Sequence, residues 1–276
     1  MLTEEEFRLF RNLIYQESGI YFRETKKDFL ENRVVKRMSE TKTQSPYWYY
    51  KLVTEQRSTE LVKLLDVMTV NETSFFRNRP QLELFRTVIL RDILQRKLAG
   101  PSRRLRIWSA GCSTGEEPYT IAMLVHQELL GKPEWDVRIF ASDLSLKALQ
   151  AANKAEYALD KVLATVEDLY VDRYFVKHAD KALVKDEIKK MVVFDYHNLK
   201  NDNGLRDLDV ILCRNVMIYF DMEEQKRLAA KFYQSLEPGG YLLIGHAESF
   251  QGWNTGFRFI YQKGGTAYKK PSAEEQ

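Results

Sequence analysis

The sequence predicts an α/β protein with a mostly parallel sheet, an inserted β-subdomain and an all-helical N-terminal domain. Three observations support this prediction. From residue 104 onward, short apolar runs alternate with helical patterns, which is typical of parallel strands connected by helices. Before residue 78, apolar residues recur at helical spacing, and no glycine lies between Gly19 and Gly100. The stretch LRIWSAGCSTGEEPY at 105–119 joins a strand to a helix through small residues, as at many ligand sites of such sheets.

Length, composition and charge indicate an ordinary globular chain. The 276 residues are 44% hydrophobic and 29% charged, and a net charge of +3 is too small to indicate nucleic acid as a partner. There is no apolar run long enough for a membrane span, and the first residues, MLTEEEFRLF, are acidic and amphipathic. The two cysteines provide neither a disulfide framework nor a zinc-binding spacing. We therefore expect a cytoplasmic, monomeric protein with reduced thiols, no metal and no membrane insertion.

Residues 1–78 are expected to form the helical domain. Amphipathic spacing predicts helices over 4–19, 26–38, 46–55 and 60–68. The second of these would have an apolar side made of Phe29, Leu30, Val34, Val35 and Met38. Its other side carries five basic residues: Lys26, Lys27, Arg33, Lys36 and Arg37. A further helix over 82–98 ends at Gly100 and Pro101, just before the sheet begins.

Residues 79–276 are expected to form the sheet-containing domain. The predicted strands are 104–110, 137–142, 192–195, 208–213, 240–245, 257–262 and 266–270. Helices are predicted over 116–130, 145–153 and 222–236. The turn Lys263-Gly264-Gly265 indicates that the last two strands form an antiparallel hairpin. The interval 157–190 is too long for a connection, so we predict an inserted β-subdomain with strands over 169–176 and 181–184.

The small-residue turn indicates the chemistry of its ligand. No lysine follows the second glycine, so the turn is not a P-loop, and Glu116 and Glu117 at the helix start would repel a pyrophosphate. Gly111 would let a ligand approach the backbone closely. A ligand with hydroxyl groups and positive charge fits this pattern, and S-adenosylmethionine is such a ligand.

Polar residues follow two further strands of the predicted sheet. Asp143 ends the strand after the turn. There its carboxylate can accept ribose hydroxyls, which is the role we favour, or cap the next helix, or do both. Asn215 and Tyr219 follow the strand 208–213, where side chains point into the ligand crevice. The alternatives are that Asn215 turns the backbone and Tyr219 packs. Asp221 is expected to cap the following helix.

The stretch NETSFFR at 71–77 stands at the junction of the two predicted domains. Phe75 and Phe76 require burial, so one interpretation is a plug at a hinge. The other is a strip that closes over the cofactor, with Arg77 facing a carboxylate. The four histidines do not cluster along the sequence, and we assign none of them a catalytic role.

Together these stretches resemble the CheR family of chemotaxis receptor glutamate O-methyltransferases. The motifs that carry the resemblance are NETSFFR, WSAGCSTGEEPY, SDLS, FDYHNL, CRNVMIYFD and LEPGGYLLIGHAES, in the order of that family and across nearly the whole chain. The resemblance implies a class I S-adenosylmethionine-dependent methyltransferase fold, with a Rossmann-like seven-stranded sheet. It also implies methyl transfer to glutamate side chains of chemoreceptors, leaving S-adenosylhomocysteine as product. An alternative acceptor on the same fold is RNA.

Residue roles follow from the resemblance position by position. The implied cofactor-binding residues are Asn71, Thr73, Arg77, Glu117, Asp143, Asn198, Leu199, Asn215 and Val216. Because Glu116 adjoins Glu117, the choice between these two carboxylates stays open. Arg77 and Tyr219 would lie near the transferred methyl group as catalytic residues. The implied receptor-recognition surface is Lys26, Arg33, Lys36 and Arg37, for which the alternative is an ordinary solvated face.

The chain departs from the family pattern in the inserted subdomain. Members that tether to a C-terminal pentapeptide of their receptors carry a glycine-rich loop there, whereas the segment 176–188, VKHADKALVKDEI, contains no glycine. We therefore expect a pentapeptide-independent enzyme. The acceptor glutamate is already ionised at neutral pH, so the reaction needs no general base.

Overall fold

The computed structural model describes residues 2–55, 57–272 and 275. The chain begins with a bundle of helices. These are α1 (Glu4–Ser18), α2 (Lys27–Thr41), α3 (Pro46–Glu55) and α4 (Val62–Met68). Thr3 and Glu6 form a capping box at the start of α1, and the left-handed Gly19 ends that helix. Apolar sides of all four helices meet in one core. One detail of the predicted apolar side of α2 is wrong, because Val35 is exposed while Leu30 and Val34 face the core.

A long helix links this bundle to the sheet. It consists of α5 (Arg79–Leu84), a π-helical turn (Phe85–Ile89) and α6 (Leu90–Ala99). Pro80 suits the first turn of α5, where its missing N–H costs no helical hydrogen bond. The Gln81 amide donates to the carbonyls of Ile244 and Thr266, both at 2.9 Å, and so fixes this helix to the sheet.

The described part of the chain contains a seven-stranded sheet and a separate three-stranded one. The strands are β1 (Arg104–Ala110), β2 (Asp136–Asp143), β3 (Glu156–Ala158), β4 (Phe175–His178), β5 (Lys181–Val184), β6 (Val192–Tyr196), β7 (Leu208–Cys213), β8 (Leu236–Ile244), β9 (Arg258–Gln262) and β10 (Gly265–Lys269). The large sheet has the order β6-β2-β1-β7-β8-β10-β9, parallel except for β10, which is antiparallel to both of its neighbours. The α/β class and the closing hairpin are thus confirmed.

Helices cover both faces of the large sheet. The helices after β1 are α7 (Glu116–Glu128), α8 (Leu146–Lys154), α9 (Leu159–Thr165), α10 (Asp168–Tyr174), α11 (Asp186–Lys189) and α12 (Met222–Ser235). Of these, α7, α8 and α12 pack on the large sheet, whereas α9 and α10 pack on the small one. Alternate residues of β7 enter two different cores: Val210 and Leu212 lie on one face, Ile211 and Cys213 on the other. A strand buried on both faces is continuously apolar, which is why β7 reads LDVILC. None of the helices in the described ranges is long and apolar enough to cross a membrane.

The small sheet has the order β3-β5-β4 and lies between α8 and β6 in the chain. Here the predicted strand over 169–176 is wrong, because α10 runs to Tyr174 and only the last two of those residues enter β4. Val171 and Tyr174 are buried, whereas Leu169 is exposed. The buried positions are three apart, which is helical spacing, and this tertiary pattern overrides the strand propensity of an aromatic-rich segment.

The helical bundle docks on the edge of the sheet where β1, β2, β6 and β7 end. Ile20 forms an isolated antiparallel bridge with Phe220, and the Tyr21 N–H donates to the Tyr219 carbonyl at 2.8 Å. The Tyr15 hydroxyl donates to Asp221 at 2.8 Å. These contacts bring the bundle against the loop that follows β7.

A buried carboxylate lies at the opposite edge of the sheet, at the start of β7. Asp209 is fully buried, pairs with Lys97 at 2.8 Å and accepts the Arg106 N–H at 2.8 Å. Burial, together with the nearby Glu237 carboxylate, raises the pKa of Asp209 to about 7. Asp209 lies near the amino end of β7, whereas the ligand crevice is at the carboxyl end. Its protonation therefore affects the stability of the fold.

Candidate active site

A cleft lies between the helical bundle and the carboxyl ends of the parallel strands. All the residues that the sequence suggested for cofactor binding and catalysis line it: Asn71, Thr73, Arg77, Gly111, Glu117, Asp143, Asn198, Leu199, Asn215, Val216 and Tyr219. They come from five separate stretches of the chain (71–77, 111–117, 143, 198–199 and 215–219), which only the topology brings together. The bundle contributes Ser18 and Ile20 to the same wall.

The small-residue turn after β1 needs glycine at two positions. Gly111 has φ +86° and Gly115 has φ +95°, both in the region that side-chain-bearing residues avoid. A Cβ on Gly111 would lie 2.4 Å from Val216 Cγ2. The turn is further fixed by the Gly111 N–H, which donates to the Ser142 carbonyl at 2.8 Å. The backbone at Gly111 therefore borders the cleft, and the neighbouring Val216, which also lines it, leaves no room for a side chain at this position.

Asp143 lies at the floor of the cleft with a nearly buried carboxylate. One oxygen accepts the Ser113 N–H and the other accepts the Ser145 N–H, each at 2.8 Å. Burial raises the pKa of Asp143, although the hydrogen bonds from backbone N–H groups oppose this shift. The alternative role as a helix cap is wrong, because Ser145 caps α8 through the Ala148 N–H. Each oxygen of Asp143 keeps lone-pair capacity for a ligand hydroxyl.

The two neighbouring glutamates of α7 point in different directions. Glu117 faces the cleft, accepts the Ser109 hydroxyl at 2.7 Å and pairs with Arg214 at 3.2 Å. Glu116 instead accepts the Thr114 hydroxyl at 2.7 Å, and burial raises its pKa. Of the two carboxylates that the sequence left open, only Glu117 is among the cleft-lining residues.

Arg214 is a site residue for which the sequence predicted no role, although it directly follows β7. Its guanidinium is almost fully buried, donates to the Arg77 carbonyl and pairs with Glu117. Burial lowers the pKa of Arg214, although Glu117 opposes this shift. The position of Arg214, a charged residue directly after the apolar strand β7, is the feature of the sequence that could have indicated a role in the site.

The loop after β7 supplies Asn215, Val216 and Tyr219. Asn215 adopts a left-handed backbone with φ +62°, so it does turn the chain, and it also lines the cleft. Tyr219 is half-buried at the cleft wall, and burial raises its pKa. Asp221 caps α12 by accepting the Glu224 N–H at 2.9 Å, as expected.

The junction segment is buried at Phe75 and lines the cleft at both ends. Phe75 is buried edge-to-face against Tyr157 and Phe175 of the inserted subdomain, at ring distances of 4.8 and 5.3 Å. Asn71 and Arg77 line the cleft at either end of the segment. The Arg77 guanidinium donates to the Glu72 carbonyl at 2.9 Å, which leaves its other N–H groups available.

Asn198 and Leu199 form the wall of the cleft nearest α1. The Asn198 amide donates to the Glu17 carbonyl at 2.6 Å, and its oxygen accepts the Lys200 N–H at 3.0 Å. Asn198 therefore ties the helical bundle to the sheet in addition to bordering the cleft. Its side-chain contacts could not have been read from the sequence.

The predicted basic surface on α2 needs one correction. Lys26 and Lys36 are exposed, and the Arg33 guanidinium lies 4.9 Å above the Phe29 ring. Arg37, in contrast, is buried and pairs with Glu60 through two nitrogens, at 2.8 to 3.0 Å. Arg37 is wrong as a member of an exposed face, because its position in α2 is on the same side as Leu30 and Val34.

The charges in the cleft favour a cationic ligand with hydroxyl groups. Three carboxylates line the cleft, those of Glu72, Glu117 and Asp143. Two guanidiniums also line it, those of Arg77 and Arg214, so that carboxylates outnumber them by one. His197 also lines the cleft, but burial lowers its pKa, which favours the neutral imidazole. Within the residues that the structure describes, no group of three or more His, Cys, Asp or Glu side chains could hold a metal ion.

Comparison with known proteins gives two family matches that together span most of the chain. Residues 71–265 match the family described as CheR methyltransferase, SAM binding domain, and residues 5–69 match CheR methyltransferase, all-alpha domain. Chemotaxis protein methyltransferase 2 of Vibrio cholerae is 34% identical over 276 residues, covering 98% of this chain and 94% of that protein. Chemotaxis protein methyltransferase of Escherichia coli is 34% identical over 256 residues, covering 90% and 86%.

Among solved structures, a TehB-like SAM-dependent methyltransferase from Corynebacterium glutamicum is similar at a TM-score of 0.36 and 13% identity. The match covers 66% of this chain and 86% of that one.

Proposed function

Since this chain belongs to the CheR methyltransferase family and is an S-adenosylmethionine-dependent methyltransferase, we propose that it methylates glutamate side chains of chemoreceptors in the cleft described above. The observation that carries the proposal is the convergence of all the suggested cofactor and catalytic residues on one cleft. The product is a neutral methyl ester, and the reaction serves adaptation in chemotaxis.

The cleft fits the cofactor in three respects. Asp143 keeps acceptor capacity for two ribose hydroxyls after binding the Ser113 and Ser145 N–H groups. Glu117 provides a negative charge that suits an ammonium group, and the backbone of Gly111 borders the cleft. In our assignment Asn71, Thr73 and Arg77 bind from the junction segment. Asn198, Leu199, Asn215 and Val216 border the adenosyl group.

The chemistry requires alignment rather than proton transfer. S-adenosylmethionine supplies an electrophilic methyl group on its sulfonium, and a glutamate with a pKa of about 4.3 is already a nucleophile at neutral pH. We assign Arg77 to orient that carboxylate through its remaining N–H groups. Tyr219 would donate a hydrogen bond near the methyl group, and its raised pKa keeps the hydroxyl protonated.

Receptor recognition is assigned to the helical domain, residues 1–78, with the methyltransferase domain comprising residues 79–276. Of the residues left in the set without Arg37, Lys26 and Lys36 are exposed, and Arg33 is half-buried with its guanidinium over the Phe29 ring. A positive surface would speed the encounter with receptor helices that carry the acidic methylation sites. We further propose that the protein acts as a monomer in the cytoplasm.

Pentapeptide independence is supported by the inserted subdomain, which we bound at about 157–190. β4 and β5 are joined by the two-residue turn Ala179-Asp180, with Ala179 at φ +51°. This tight hairpin replaces the glycine-rich loop of tethered members and offers no extended loop for a receptor tail. The enzyme would therefore act on receptors with or without a terminal pentapeptide.

The test uses methyl-labelled S-adenosylmethionine and chemoreceptor signalling fragments. We expect label on the receptor that mild base removes and that Glu→Ala changes at the modified positions abolish. Matched fragments with and without the last five residues should be labelled at equal rates. Tight S-adenosylhomocysteine binding with no labelled receptor would contradict the assigned acceptor, and RNA would then be tried. A large rate advantage for the longer fragment would contradict pentapeptide independence.

A further inference from the structure

We propose that Glu248 is a positioning residue of the methyltransferase site, acting through the loop of residues 214–219, which we call the β7 loop. Glu248 follows β8 in the stretch IGHAES and is not among the residues that line the cleft. The inference deepens the proposed function, because it concerns how the residues assigned to cofactor and acceptor are held in place.

The Glu248 carboxylate accepts backbone N–H groups from two chain segments at once. One oxygen accepts the Asn215 N–H at 3.1 Å and also the Gly245 N–H, while the other accepts the Ile218 N–H at 3.2 Å. Asn215 and Ile218 belong to the β7 loop, whereas Gly245 follows β8. The carboxylate therefore clamps the loop to the end of the neighbouring strand.

The backbone at this point requires such an acceptor. β7 and β8 pair in parallel only as far as Cys213 and Ile244, so the N–H groups of the next residues have no ladder partner. Asn215 is in the left-handed region, which asparagine adopts more readily than most residues other than glycine, so the chain turns here. Three inward-pointing donors match an ionised carboxylate, which is acceptor-only. Burial raises the pKa of Glu248, while these same N–H bonds oppose the shift and favour the charged form.

Gly245 makes the clamp sterically possible. A Cβ at this position would lie 2.8 Å from the Asn215 nitrogen and 2.8 Å from the carboxylate oxygen of Glu248. Because nothing larger than hydrogen fits, the glycine and the carboxylate form one unit. This explains why the two residues occur three apart directly after a buried strand.

The β7 loop is the part of the cleft wall that this unit controls. It carries Asn215 and Val216 on the cofactor side and Tyr219 on the acceptor side. Loss of the clamp should therefore affect both cofactor affinity and the rate of transfer, although Glu248 touches neither ligand. The surface for the receptor on α2 belongs to another part of the chain and should be unaffected.

The test compares Glu248→Gln with Glu223→Gln in the full-length protein. Glu223 is an exposed glutamate on α12 paired with Lys226. In Glu248→Gln the side-chain amide places N–H donors opposite backbone N–H donors, so the hydrogen bonds that hold the β7 loop are weakened or lost. We therefore expect the Kd for S-adenosylhomocysteine, measured by calorimetry, to rise about tenfold or more. The kcat on receptor fragments should fall by at least about tenfold, with the KM for the receptor changed less than about twofold. Glu223→Gln should match the wild type.

A merely structural role predicts a lower melting temperature with unchanged Kd and kcat in the folded protein, and that result would overturn the proposal. If Glu248→Gln does not fold, Gly245→Ala perturbs the same clamp from its other side and should raise the Kd in the same way. A wild-type Kd in folded Gly245→Ala would likewise overturn it. The binding measurement needs no receptor, so it decides the role of Glu248 even if the assigned acceptor is wrong.

Discussion

Gly111→Ala tests the geometry of the cofactor turn, and the chain supplies a matched control. Gly111 has φ +86°, and an added Cβ would lie 2.4 Å from Val216 Cγ2, well inside the ordinary carbon contact distance of about 3.5–4.0 Å. Gly131 has a similar backbone, φ +73°, but a Cβ there would meet nothing within 4 Å. The two alanine variants therefore share the backbone strain and differ in the steric overlap.

The difference between the variants can be estimated. Placing alanine in the left-handed region costs roughly 1–2 kcal/mol in either variant. Overpacking against Val216 adds roughly 1–3 kcal/mol, so Gly111→Ala should lose about 2–5 kcal/mol in total. Because Val216 lines the cleft, the same overlap moves a residue assigned to the adenosyl group. We expect the S-adenosylhomocysteine Kd to rise by about tenfold or more in Gly111→Ala and to stay within about twofold in Gly131→Ala.

Urea unfolding measures the loss of stability, and calorimetry below the unfolding transition measures the Kd. Equal losses of stability in the two variants would show that Val216 moves away from the added Cβ without an energetic cost, contrary to the estimate above. An unchanged Kd in folded Gly111→Ala would refute the placement of this turn at the cofactor.

Three further predictions concern other charged groups. Arg77→Ala should lower kcat by about 100-fold while the protein stays folded. As a control, Arg79→Ala removes an exposed ion pair and should change kcat by less than about twofold. A wild-type kcat in Arg77→Ala would reject the catalytic role of Arg77. Arg214→Leu leaves the Glu117 carboxylate without its ion pair and should lower the free energy of unfolding by about 3–5 kcal/mol. Adding Glu117→Gln to the same chain should restore part of that loss, because it removes the unpaired charge. A loss below about 1 kcal/mol in Arg214→Leu would contradict this prediction. The raised pKa of Asp209, about 7, means that the folded state keeps a proton that the unfolded state releases from about pH 4 upward, so stability should fall as the pH rises through this window. Asp209→Asn should reduce that dependence, and identical pH profiles of the two proteins in urea unfolding would show the prediction to be wrong.

Periodic patterns predicted most of the fold because they depend on local burial. The strand at 104–110 and the helix at 46–55 have the predicted bounds, since apolar spacing and turn residues define them directly. The segment 169–176 failed for the same reason: its aromatic residues favour a strand, while the burial of Val171 and Tyr174 depends on neighbours far away in sequence.

Charged residues in buried positions are where the sequence was least informative. Arg37 was expected in solvent with the other basic residues of α2, but it lies on the core side of the helix, paired with Glu60. Its pairing partner lies in a different helical segment, so no local pattern could predict the contact. Glu117 could be distinguished from Glu116 only through Ser109 and Arg214, which contact it across the sheet edge.

The β7 loop shows why site geometry exceeds what motifs can predict. Its residues are visible as a motif, yet contacts from three directions fix their positions. Glu248, in the segment after β8, accepts N–H groups of the loop's backbone. From the helical bundle, the Tyr21 N–H donates to the Tyr219 carbonyl. Arg214 at its start pairs with Glu117 of α7. Because each contact joins segments far apart in the chain, a substitution in the bundle can alter methyl transfer without touching either ligand. The helical domain is in this sense part of the active site as well as the surface assigned to the receptor.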